Sequence, residues 1–253
     1  MYTLYRNLDS DFLSSLCLPE ELYMLVAMNC TAYNLVAVTS MIYVSSQPLS
    51  YSKVRSVFTA SERFQQTIGT ILSVARSIPC AYVVLLEEGN LSRYEIQTLR
   101  LAGVHEFFFS HSRYASSRAK GYAELDTLLA FTRTFPRDDD LHFQTFSKIS
   151  GRYTLTNEFC WHCTPINESM YMCTKDRSSC STRYYRLPFS SYNLFRSNLM
   201  KAFMNDDVAS GRRGIEQAGL FHGLPVGKGL VRGKKPALGV SGRIAPDGSL
   251  VMD

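Results

Sequence analysis

Between residues 35 and 150, continuous apolar runs alternate with capped, one-sided helical segments, and this alternation constrains the fold more than any other feature. Leu35 to Val44 is rich in β-branched and apolar residues, as a strand covered on both faces must be. After a Ser/Pro/Tyr loop, Thr59 and Glu62 form the spacing of a capping box. Phe64, Ile68, Ile71, Leu72 and Ala75 then recur on one helical stripe until Pro79 ends it. Ala81 to Leu86 reads as a second buried strand, finishing in Glu87 and Glu88. Ser92 with Glu95 repeats the capping box, and Gly103 stands where a helix would stop. Val104 to Phe109 predicts a third strand, Tyr122 to Thr134 a helix with Leu125, Leu128 and Leu129 on one side, and Phe143 to Ile149 a fourth strand. The expected class is α/β: a right-handed, mainly parallel sheet with helices on both faces. Ligands of such sheets bind beyond the carboxyl ends of the strands, so Thr39, Ser40, Glu87, Glu88, Ser110 and the segment from Lys148 draw attention.

The order changes after Tyr153. Strands are expected at Met170 to Thr174 and Thr182 to Leu187, with a helix from Tyr192 to about Met204. A further helical piece is expected near Gly214 and a last strand at Leu238 to Ile244. Residues 22–28 suggest an N-terminal helix or an extension packed on the domain. With 253 residues the chain suits one sizeable core, read here as one domain over 1–253. Residues 34–153 form its ligand-binding half, and 154–253 extend that domain.

Charge and cysteines bound the function. The net charge of +5 permits an anionic ligand but is too small for a nucleic-acid footprint. No run approaches the ~20 apolar residues of a membrane helix, and no signal peptide is evident. Seven cysteines is an odd number, and Cys17, Cys30 and Cys80 stand apart in apolar surroundings, which suggests free thiols and a cytoplasmic location. With no signal peptide and a cytoplasmic location, the sequons at Asn29, Asn90 and Asn167 are expected to mean little. Cys160 and Cys163 with Cys173 and Cys180 offer a four-thiolate zinc site as an alternative, although the second pair is more widely spaced than usual.

The segment with most chemistry is Phe146 to Tyr153, reading FSKISGRY. It puts Lys148 and Arg152 at a strand's carboxyl edge, with Gly151 allowing close backbone approach. Arg152 can grip phosphate oxygens bidentately, and Lys148 can act as a point charge. The alternative is a solvated edge on which both pair with Asp138 to Asp140. From Gly211 to Lys235, Arg212, Arg213, Lys228, Arg232, Lys234 and Lys235 face Glu216 as the one carboxylate, suggesting either a closing lid or a solvated basic loop.

Phe146 to Tyr153 resembles the KISGRY signature of small glycosyltransferase-like proteins of the chlorovirus type and of bacterial polysaccharide clusters. Arg55, Phe58-Thr59, Glu62-Arg63 and Gln65 to Thr67 are similar to the family's pattern opening a helix, and Ser77 to Glu87 to its next strand. Ala119 to Glu124 resembles its K-s-l-G-E-a motif with altered spacing. Gly214 to Gln217 resembles iEh with Gln for His, and Leu238 to Gly248 the closing lGveG-x-iaP-x-G. The resemblance implies a GT-A-like fold with an acceptor-binding C-terminal extension. It also implies transfer from a UDP-, GDP- or dTDP-sugar to an oligosaccharide or glycoprotein glycan.

In that layout the place of an Asp-x-Asp metal motif is taken by Lys148 to Arg152, so Lys and Arg are expected to neutralise the diphosphate. Mn²⁺ or Mg²⁺ is then not obligatory, with Asp138 to Asp140 or Glu87 as ligand candidates otherwise. The implied donor-binding residues are Thr39, Ser40 and Glu87 for base and ribose, with Arg63, Lys120, Lys148, Ser150, Gly151 and Tyr153 around the phosphates. Arg152 and Glu216 are the implied catalytic residues, Glu216 as base for the acceptor hydroxyl, with His222 as alternative. A binding protein of the same fold without turnover, and a zinc-stabilised nucleic-acid binder, are the competing classes.

Overall fold

The computed structural model describes residues 3–5, 31–49, 52–117, 119–136, 142–174, 178–225, 230–231 and 238–252. The helix expected at 22–28 lies outside these. Eleven strands are described: β1 Thr3–Tyr5, β2 Tyr33–Ser40, β3 Ala81–Glu88, β4 Glu106–Ser110, β5 Phe143–Ser150, β6 Tyr153–Leu155, β7 Met170–Cys173, β8 Cys180–Pro188, β9 Leu230–Val231, β10 Val240–Arg243 and β11 Leu250–Met252. The helices are α1 Ala60–Ser77, α2 Arg93–Leu101, α3 Lys120–Thr134, α4 Tyr192–Phe203 and the single turn α5 Asp206–Ala209.

The central sheet has the order β1-β4-β3-β2-β5-β8-β7-β9. Its middle four strands, β4-β3-β2-β5, are parallel, while β8 runs antiparallel to β5 and β7 antiparallel to β8. The alternation along β2 assigns the two faces. Leu35 and Ala37 join the core under α3 and α4, whereas Val36 and Val38 join the core under α1 and α2. The mixed α/β class and the helices on both faces therefore follow from the pattern of residues 35–150.

Both capping boxes are made. Thr59 Oγ accepts from the Glu62 amide at 3.2 Å and the Glu62 carboxylate accepts from the Thr59 amide at 2.8 Å. Ser92 and Glu95 do the same at 3.3 and 2.7 Å. Gly103 follows the end of α2 at φ +115°, the conformation its missing Cβ permits.

Four expectations are corrected. β2 ends at Ser40 rather than Val44, because the chain turns there and the Ile42 amide donates to the buried Glu87 carboxylate at 2.8 Å. Leu72, placed on the buried stripe of α1, is 52% exposed. The helical piece near Gly214 is a single 3-10 turn, Ile215–Gln217. Among the described residues no cysteine is free: Cys160 is bonded to Cys163 and Cys173 to Cys180, and Cys80 is also in a disulfide. The β7–β8 ladder places Cys173 directly opposite Cys180, which takes these sulfurs out of any zinc site.

A second sheet, β11-β10-β6, was not expected. β6 follows β5 after a turn at Gly151 and Arg152, packs on α1, and its Leu155 amide donates to Ser73 Oγ at 3.0 Å. β10 then pairs with β6 and brings residues 240–245 back beside the carboxyl ends of β2 and β5. Two glycines make this return feasible. A Cβ on Gly239, at φ +74°, would lie 2.3 Å from the Phe159 amide nitrogen, and one on Gly242 would lie 2.4 Å from the Arg152 carbonyl oxygen. Gly239→Ala is therefore expected to lower stability by about 2 kcal/mol or more in denaturant unfolding, since it meets both backbone strain and fixed backbone atoms.

Candidate active site

The sheet order fixes where a crevice must open. From β2 the chain moves outward to β3 and β4, then crosses back to lay β5 on the other side of β2. At the carboxyl ends of β2 and β5 the chain leaves β2 toward α1, and the turn after β5 lies against the end of β2 and runs on into β6 on the same helix. A cleft is found there, lined by Thr39, Ser40, Arg55, Arg63, Glu88, Glu124, Ser150, Arg152 and Ala245 among others. It shares Glu124, Ser150 and Arg152 with a second cavity of about 320 Å³. That cavity is also lined by Tyr153, Thr182, Arg183, Arg213 and Glu216.

Gly151 holds the floor together. Its amide donates to the Thr39 carbonyl at 2.8 Å, and a Cβ there would stand 3.1 Å from Thr67 Oγ and 3.2 Å from the Thr39 oxygen. The turn after β5 thus lies tight against the end of β2 and presents Arg152 to both cavities. The Arg152 side chain is half-buried, and its Nε is buried with no hydrogen-bond partner.

The other arginines of the first cleft are engaged in building it. Arg63 is buried and donates through Nε to the Met41 carbonyl at 2.6 Å. Its pKa is lowered by burial first and by the neighbouring Arg152 charge second. Arg55, also buried, donates to the carbonyls of Gln47 at 2.9 Å and Ala115 at 3.1 Å and to that of Ser117, tying the loop after β2 to the loop after β4.

Lys148 departs from its expected role. It is fully buried and lines neither cavity, and its partner is Glu124 of α3 rather than Asp138 to Asp140, which lie outside the described residues. Its ammonium also donates to Ser150 Oγ at 2.8 Å and to the Thr182 carbonyl at 2.5 Å. Three N–H groups meet three acceptors, so the charge is spent internally and no donor is left for a phosphate.

Glu87 likewise sits beneath the cleft, fully buried, with its carboxyl on the Ile42 amide. Burial pushes its pKa up to about 7, against the opposing effects of that amide and of Arg63. Glu88 lines the wall, as does Glu124. Glu88 accepts from the Ser112 amide at 2.7 Å and from Thr127 Oγ at 2.9 Å, and burial raises its pKa despite these bonds.

Glu216 is exposed on its 3-10 turn and accepts from Thr182 Oγ at 3.4 Å across the larger cavity. Gly121 positions that turn: a Cβ at 121 would fall 2.7 Å from Ile215 Cγ2, so Ile215 fills the space beside the first turn of α3. Tyr153 is buried with the Arg183 guanidinium over its ring at 5.7 Å. Of the basic segment, Arg213 lines the cavity and Arg212 pairs with Asp207 at 2.8 Å. Lys228, Arg232, Lys234, Lys235 and the Lys120 side chain lie outside the described residues, and His222 lines neither cavity.

The structure therefore brings Thr39, Ser40, Arg63, Ser150, Arg152, Tyr153 and Glu216 to the walls of two joined cavities and sets Lys148 and Glu87 behind them. Arg55, Thr182 and Arg183 were not picked out as site residues from the sequence. Their signal was weak, because each needs a tertiary partner to be placed.

No protein-family model matches the chain, and no curated protein matches it. Among solved structures it is similar to 4-diphosphocytidyl-2C-methyl-D-erythritol synthase from Anaerococcus prevotii. The TM-score is 0.36 and the identity 10%, over 75% of this chain and 81% of that chain. A likeness of this size establishes neither a fold family nor an activity.

Two outcomes are expected. Glu124→Gln leaves the buried Lys148 charge without its counter-ion and should cost roughly 3–5 kcal/mol of stability, whereas Lys148→Met with Glu124→Leu should recover most of the loss in thermal unfolding. Glu87, with its folded pKa raised to about 7, favours the fold while protonated. Its contribution is full below about pH 4.5 and is lost as pH rises through 7, roughly 3 kcal/mol in all. Glu87→Gln should flatten that stretch of the stability–pH curve.

Proposed function

We propose that this chain is a glycosyltransferase of GT-A-like fold that moves a sugar from a nucleotide-sugar donor to a glycan acceptor. The observation that carries the reading is Arg152: a half-buried guanidinium at the sheet's switch point, its Nε unpartnered, shared by a narrow cleft and a wider cavity. A diphosphate is the group whose size and charge suit that junction. The nucleoside then lies along the narrow cleft past Thr39 and Ser40, and the sugar faces the wider cavity. The KISGRY resemblance points the same way.

In the transfer, an acceptor hydroxyl oxygen bonds to the anomeric carbon as the bond from that carbon to the diphosphate oxygen breaks. The electron pair leaves with the diphosphate, where Arg152 stabilises it. In an inverting reaction the hydroxyl proton passes to a carboxylate, for which Glu216 stands in the right cavity. The neutralising role falls to Arg152 rather than to a bound Mn²⁺ or Mg²⁺. Among the described residues the carboxylates of the cleft wall already have partners: Glu124 holds Lys148, and Glu88 accepts from Ser112 and Thr127.

The test is a thermal-shift and turnover screen of purified protein with UDP-, GDP- and dTDP-sugars, with and without Mn²⁺. One donor class should raise the melting temperature and be turned over, and Arg152→Ala should abolish the shift and cut turnover by about 100-fold or more. Binding without turnover on any acceptor would instead favour the non-catalytic binding protein. Activity lost to a chelator and restored by Mn²⁺ would overturn the cation-free part of the reading.

A further inference from the structure

The cytoplasmic location on which the sequons mean little was expected from free thiols as well as from the lack of an evident signal peptide, and no cysteine among the described residues is a free thiol. Every cysteine among the described residues is disulfide-bonded: Cys160 with Cys163, Cys173 with Cys180, and Cys80 as well. Several such bonds in one chain of this size form and persist where the surroundings are oxidising. That is also where asparagines of the Asn-x-Ser/Thr type meet the machinery that modifies them.

Two sequons fall on described residues. Asn90 stands in the loop between β3 and α2, followed by Leu91 and Ser92. Asn167 stands in the loop between the Cys160–Cys163 disulfide and β7, followed by Glu168 and Ser169. Both asparagines are exposed, and neither side chain makes a hydrogen bond among the described residues. A bulky substituent on either amide nitrogen would project into solvent and displace no contact of the fold. The serines differ: Ser92 caps α2 and Ser169 is 2% exposed. Their hydroxyls are needed only while the chain is still unfolded and being modified, so their later burial is no obstacle.

We infer that this chain matures in an oxidising secretory compartment and carries N-linked glycans on Asn90 and Asn167. Each disulfide forms by exchange with an oxidised dithiol carrier, which takes two electrons and two protons from the cysteine pair. Each glycan comes from a lipid-diphosphate-linked oligosaccharide. The asparagine Nδ2 bonds to the sugar's anomeric carbon, the carbon–oxygen bond to the diphosphate breaks, the lipid diphosphate leaves with the electron pair, and the amide proton goes to the transferring enzyme.

The experiment uses full-length protein from the cells that make it, with thiols blocked at lysis, followed by peptide mass spectrometry. A glycan-removing amidase in heavy-oxygen water should leave labelled aspartate at 90 and 167, and the four cysteines of 160–180 should escape the blocking reagent. In parallel, Asn90→Gln and Asn167→Gln should each remove one glycan-sized step on a gel while leaving the melting temperature unchanged. Unlabelled asparagine at either position overturns the assignment of that position. Blocked cysteines together with bare asparagines overturn the inference as a whole. None of these readouts depends on catalytic turnover.

Discussion

A lysine ammonium in a protein interior must find its acceptors or lose its charge, and this fold is arranged around one that finds them. Lys148 projects from β5 and is held by Glu124 of α3, by Ser150 of its own strand and by a backbone carbonyl of β8. Three elements distant in sequence thereby share one charge. The contact ties α3 to the end of β5 and adds a side-chain bond to the backbone ladder that holds β8 beside β5.

The arginines around that crevice divide between construction and presentation. Arg55 and Arg63 are turned inward to backbone carbonyls and hold the loops after β2 and β4 in shape. Arg152 is carried on a turn made tight by Gly151 and left with an unspent donor. Positive charge is thus concentrated at a place whose backbone is already satisfied, so that an arriving anion has little to reorganise.

How much of this was legible in the residues depended on how local each feature is. The two capping boxes, the stop at Gly103 and the buried runs of β3 to β5 are written within a few residues each and match the structure, whereas β2 stops four residues short of its apolar run. The sheet β11-β10-β6 was missed because pairing between residues 153–155 and 240–242 leaves no mark at short range. Lys148 was assigned to a phosphate because its spacing from Arg152 is visible in the chain, whereas its partnership with Glu124 appears only when α3 is docked. The cysteines misled for a related reason. An odd total argued for thiols, while the pairing of Cys173 with Cys180 is a matter of strand register.

Ala245 and Ile244, from the segment after β10, line the two cavities, and Gly242 rests against the carbonyl of Arg152. The crevice opened by the first strands is therefore closed by residues made some ninety positions later than Arg152. Without that segment the parallel strands keep their pairing with one another, but both cavities lose part of their lining.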